Sequence, residues 1–170
     1  MTDSARGALD EADLLVSRAL IGGEWLQGAR EPITVEDPYT MSAFAEVPNL
    51  GAAETERAIA AAAEALPAWA ARPARERGQI LRRWFELLVV HREDIARLTV
   101  RENGNTLKEA RGEFDSGAGF FEFYADEATR ALGEIIPAPV PGRRMMAQRE
   151  PVGVCAAITP WNFPLAMLTR

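Results

Sequence analysis

With 170 residues, 48% of them hydrophobic and 26% charged, the chain is long enough for one domain with a real core and has an ordinary globular balance. A formal net charge of -6 disfavours nucleic acid as a partner, because phosphate contacts need clustered Lys and Arg. A single cysteine, Cys155, excludes an internal disulfide, and a single histidine, His91, excludes a His-rich metal cluster and leaves little for a Ser-His-Asp triad, so no metal site is expected.

Residues 1–17 mix Asp3, Asp10, Glu11 and Asp13 among apolar residues and read as a loosely held leader, without the basic start and apolar core of a signal peptide. Leu20-Ile21 and Glu24-Trp25-Leu26 flank Gly22-Gly23, which predicts two short strands around a two-residue turn. Val35, the Asp37-Pro38 turn and residues 44–47 predict a second pair, ended by Pro48 and Asn49. Residues 52–66 are Ala-rich and helical, with Pro67 expected to kink or end the helix. Pro73 suits the first turn of the next helix, to which Ile80, Leu81, Trp84, Phe85, Leu87 and Leu88 give an apolar stripe. His91, beside Arg92, Glu93 and Asp94, reads as a surface residue. A third helix runs from about Glu93 to a stop at Gly104.

Thr106 and Glu109 then make a capping box. Leu107, Ala110, Phe114, Gly117, Phe121, Tyr124, Ala128 and Ala131 follow at spacings of three and four, one buried face about seven turns long. The acidic pairs Glu109/Glu113 and Glu122/Asp126 lie at i,i+4 spacing and are expected to be a solvated helix face. Pro137, Pro139 and Pro141 break regular structure, and residues 145–149 are strand-like. Residues 152–158 (VGVCAAI) are apolar without alternation, which predicts a central strand of a parallel sheet covered by helices on both sides. Cys155, inside that strand, is then a buried and inert thiol. Residues 152–169 have the length of a membrane span, but Pro160, Asn162 and Pro164 interrupt them, so no membrane association and a cytoplasmic location are expected.

The strand, a turn at 159–164 (TPWNFP) and a helical stretch place that turn at the carboxyl end of a strand, where open α/β sheets bind ligands. Residue chemistry allows two readings of Asn162: a rigidly held NH2 that stabilises a developing oxyanion, or an N-cap of the next helix. Phe163, Met167 and Arg170 share a helical face, two apolar groups and a cation. That would suit a ligand with an uncharged end and an anionic end, and it equally suits ordinary packing with a surface arginine.

IGGEW (21–25), the Asp37-Pro38 turn, AIAAAAEALPAW (58–69), RGQILRRWFELL (77–88), ENG (102–104), KEARGE (108–113) and PVGVCAAITPWNFP (151–164) resemble the aldehyde dehydrogenase superfamily over nearly the whole chain, closest to its succinate-semialdehyde dehydrogenases. Asn105 departs from a frequent Lys. The resemblance implies an α/β fold, the amino-terminal part of a Rossmann-like dinucleotide-binding domain with β-hairpins and an oligomerisation arm. Residues 1–136 are the hairpins and helices of the cofactor-binding domain, 137–151 the start of the arm, and 152–170 the first buried strand, the turn and a helix start. The implied reaction oxidises an aldehyde to a carboxylic acid with NAD or NADP. A cysteine thiolate attacks the aldehyde, and a glutamate helps water hydrolyse the thioester.

By the same resemblance Asn162 is the oxyanion-hole amide and also borders the cofactor. Ile158, Thr159, Pro160 and Trp161 lie along the cofactor through backbone groups, Phe163 and Met167 line the substrate tunnel, and Arg170 meets a substrate carboxylate. Cys155 matches no catalytic position. The implied small-molecule substrate is succinate semialdehyde, with glutarate semialdehyde as the alternative, and the complete protein is implied to be a homo-oligomer. The nucleophile, the base and the catalytic domain lie beyond residue 170, so the chain is expected to be an inactive amino-terminal fragment with exposed apolar faces and poor solubility. A different class of function, a non-catalytic module that binds nucleotide or docks on a full-length relative through 137–151, uses the same residues.

Overall fold

The computed structural model describes residues 9–170. Two antiparallel hairpins come first. β1 (Ala19–Ile21) and β2 (Glu24–Leu26) pair with Leu20 opposite Trp25, around Gly22 and Gly23 at φ 60° and 85°. A two-residue turn that matches strand twist needs positive φ at both centres, which glycine adopts without steric cost. β3 (Ile33–Asp37) and β4 (Ser42–Val47) form the second hairpin, and the buried Asp37 carboxylate accepts the Tyr39 N–H at 2.8 Å to close the Asp-Pro turn. Both hairpins match the sequence reading.

Four helices follow: α1 (Ala52–Ala70), α2 (Ala74–Val90), α3 (Arg92–Asn103) and α4 (Leu107–Glu127). Pro67 does not end α1: the helix runs three residues past it, to Ala70, and the Ala71 N–H closes on the Pro67 carbonyl at 3.0 Å. Pro73 is the N-cap of α2. Gly104, at φ 74°, ends α3 as expected. His91 joins α2 to α3 half-buried rather than on the surface, with its carbonyl accepting the Ile95 N–H at 3.0 Å.

α4 is the shared wall of the molecule, packing against α2, α3 and a short final helix, α5 (Pro164–Thr169). Its start is the predicted capping box, with Thr106 Oγ1 accepting the Glu109 N–H and the Glu109 carboxylate accepting the Thr106 N–H. Ala96, Val100 and Ala110 form a buried cluster with Leu107 against it, and Phe114, Ala118 and Ala125 extend the buried face. Alanines at these positions bring helix axes close together, so a single added methyl group is felt. The predicted face holds through Phe121, whose ring lies 4.5 Å from that of Trp84, and fades beyond it. Tyr124 is exposed, and α4 gives way to a 3-10 turn (Ala128–Arg130) before Ala131. Glu122 and Asp126 stay exposed but both hold Arg82 of α2, and Arg92 of α3 grips Asp115 through two contacts of 2.8 and 2.7 Å. Exposed pairs of this kind contribute only about 0–1 kcal/mol each, so the small-residue packing dominates.

Three expectations are corrected downstream and at the amino terminus. A strand unread in the sequence, β5 (Glu134–Ile136), pairs antiparallel with β6 (Met145–Ala147), so the proline-rich stretch is the loop of a third hairpin. Residues 152–158 form no strand: Val152 is 93% and Ile158 100% exposed, and Cys155 is exposed rather than buried. A strand exists only through its ladder, and every strand among the described residues is already paired in its own two-stranded hairpin. No helix among the described residues is long and apolar enough to cross a membrane.

Residues 1–8 of the leader lie outside the described residues, but its later part is not loose. The buried Asp94 carboxylate accepts the N–H groups of Asp10 at 2.9 Å and Glu11 at 2.8 Å, and Arg97 bridges Asp94 and Asp10. These donors, the Asp10 amide first, hold the Asp94 carboxyl below the ordinary carboxylate range. A depressed folded-state pKa stabilises the anchored state above the unfolded value of about 3.9 and loses that contribution as pH falls through the lower folded value. Amide protection at Asp10 and Glu11 is therefore expected to be flat from neutral pH to about 4 and to fall below it. Asp94→Ala should expose the bond after Glu11 to a Glu-specific protease at neutral pH; cleavage no faster than in the parent would show that the anchor does not hold the segment.

Candidate active site at the 158–164 turn

Residues 158–160 have no regular structure, 161–163 form a bend, and Pro164 opens α5 as its first residue. Pro160 and Pro164 fix φ on either side of the bend. Ile158, Thr159, Pro160, Trp161 and Asn162 are all exposed, with Trp161 81% open. Phe163 is exposed, Met167 half-buried and Arg170 exposed. The Met167 N–H bonds to the Phe163 carbonyl (2.9 Å) and the Arg170 N–H to the Ala166 carbonyl (3.1 Å), with Phe163 itself at the N-cap, outside helical φ and ψ. The Tyr124 hydroxyl donates to the Arg170 carbonyl at 3.3 Å, tying the end of α5 to α4.

The cap reading of Asn162 is not realised. Phe163 occupies the N-cap position and makes no side-chain cap bond. The acceptor comes instead from α4: Glu113 Oε1 accepts the Leu165 N–H at 2.8 Å and the Ala166 N–H at 3.3 Å. Glu113 is buried, which overturns its expected place on a solvated helix face. One turn further, Gly117 meets α5 so closely that a Cβ there would lie 2.9 Å from Leu165 Cγ and 3.2 Å from the Ala166 nitrogen. On the other side, Asn103 at the end of α3 donates from Nδ2 to the Asn162 carbonyl at 3.4 Å. The Asn162 backbone is thus held, while its side-chain amide makes no hydrogen bond among the described residues.

The part that Asn103, Glu113 and Gly117 play at the turn escapes the sequence reading. A signal for Glu113 is present: positions 110, 113, 114 and 117 follow i, i+3, i+4, i+7, so a carboxylate sits inside the buried stripe. Nothing in the sequence marks Asn103, whose contact spans 59 residues.

The aldehyde dehydrogenase family model matches residues 25–170. Over 163 residues the chain is 48% identical to the glutarate-semialdehyde dehydrogenase of Pseudomonas putida and 47% identical to the NADP(+) succinate-semialdehyde dehydrogenase of Escherichia coli, covering 95% of this chain and 34% of each relative. The crystal structure of an aldehyde dehydrogenase from Brucella melitensis biovar abortus has a TM-score of 0.93 at 47% identity, over 95% of this chain and 34% of that one. The chain therefore spans about a third of the length of the relatives it matches, in sequence and in structure alike. The match extends through the 158–164 turn and α5, and by it the chain belongs to the aldehyde dehydrogenase family.

Proposed function

We propose that these residues supply the oxyanion-hole amide, part of the cofactor wall and the mouth of the substrate tunnel of an NAD(P)-dependent aldehyde dehydrogenase. Its proposed substrate is an aldehyde ending in a carboxylate, succinate semialdehyde first and glutarate semialdehyde as the alternative. The observation that carries this is near-half identity to two enzymes named for those semialdehydes. The rigid bend suits Asn162 to its role, since an oxyanion donor must be in place before charge develops. Phe163 and Met167 offer an apolar approach, and Arg170 offers a planar fork that can meet a carboxylate through two hydrogen bonds.

NAD or NADP fits the wall at 158–162 on one ground: its backbone and the faces of Ile158 and Trp161 are open, an apolar surface with a few polar groups. When bound, the cofactor supplies the two-electron acceptor. The nucleophilic cysteine and the glutamate base come, in this reading, from polypeptide outside residues 1–170, and Cys155 serves in neither role. Residues 137–151, which span the loop of the third hairpin and β6, begin an oligomerisation arm, and the complete protein is a homo-oligomer. The 170-residue chain alone, given succinate semialdehyde with NAD or NADP, should produce no absorbance of reduced cofactor at 340 nm. Turnover above the no-protein rate would overturn this assignment of roles.

A further inference from the structure

We infer that Glu113 is a positioning residue for the oxyanion-hole turn, an α4 carboxylate that sets where Asn162 points by holding the first amides of α5. This rests on the reading of Asn162 given above. α5 begins at Pro164, and the amides of a helix's first turn have no acceptor within the helix itself. Its first turn also lacks a local acceptor. Phe163 carries no cap group and Pro164 has no N–H, so Leu165 and Ala166 offer the first unsatisfied amides, and Glu113 Oε1 takes both.

The contact is not incidental to packing. Glu113 lies between Ala110, Phe114 and Gly117 on the buried face of α4, where an apolar side chain would be cheaper to bury. Its Oε2 atom is buried with no partner among the described residues, so the two amides held by Oε1 are what offset the desolvation of the carboxylate. Gly117 clears the space that lets α5 come this close. With Asn103 on the Asn162 carbonyl, the bend is clamped from both sides, by α3 before it and α4 after it. Slackening one jaw displaces the Asn162 amide without removing it. A donor about 1 Å out of place can cost on the order of 10²-fold in rate.

The test uses the catalytically complete protein with succinate semialdehyde. Glu113→Ala and Glu113→Asp are each expected to lower kcat about 10- to 100-fold, while Glu113→Gln, which keeps a carbonyl acceptor, stays within about threefold. Cofactor KM should move less than about twofold in all three. The decisive readout is the double variant. In an Asn162→Ala background the Glu113 substitutions should cost almost nothing further, because a residue acting through Asn162 has nothing left to position. An undiminished Glu113 effect in that background, or a Glu113→Ala loss below about threefold, overturns the inference while leaving the Asn162 assignment intact. If the alanine variant does not fold, the Asp variant, with its carboxylate drawn back by one methylene, carries the same comparison. A negligible effect of Asn162→Ala alone identifies the failure as that of the oxyanion reading, and the positioning role then falls with it.

Discussion

Replacing Asn162 by alanine in the catalytically complete protein is expected to lower kcat by about 10²–10³-fold with little change in substrate KM. The magnitude follows from what the amide does. A donor aimed at the developing oxyanion contributes in the transition state and hardly at all to the bound aldehyde, so its loss appears in kcat. The side chain is free for this role, because Glu113 provides the acceptor for α5 and Asn103 engages only the Asn162 carbonyl. Steady-state kinetics with saturating cofactor decides the matter. A loss below about threefold would rule out the oxyanion role.

Arg170→Leu should separate substrates by charge. A charge-assisted contact to a carboxylate contributes about 1.5–3 kcal/mol, which corresponds to roughly 10- to 150-fold in kcat/KM for succinate semialdehyde. Butyraldehyde has a similar chain length without the carboxylate, and its kcat/KM should change by less than about threefold or rise, since leucine removes an unpaired cation from the approach. Equal losses on both aldehydes would remove the carboxylate assignment.

The parts of the fold legible in the sequence are those decided by neighbours close along the chain. Gly22-Gly23 and Asp37 specify their turns within a few residues, and Thr106 with Glu109 specifies a helix start within one turn. The residues that depart from local reading depend on distant partners. Residues 152–158 have a strand's composition, yet a strand is a property of two segments, and no second one lies beside them among the described residues. Cys155 inherits its expected burial from that strand and loses it for the same reason. Pro67 reads as a stop because proline disrupts a helix interior, yet α1 continues for three residues beyond it. In the site, the family's motif is plain in the sequence. Its support is not, since Asn103 and Glu113 reach the turn across 59 and 52 residues.

The bare apolar run before the turn bears on how the turn is held. Helices adjacent in the chain, such as α3 and α4, meet through short loops and close quickly, because little chain entropy is lost in joining them. Residues 152–158 pair with no strand among the described residues, so no ladder bond fixes their backbone. The turn is thus placed by helices alone: Asn103 at the end of α3 and Glu113 of α4 fix residues 162–166 with no sheet beside them among the described residues.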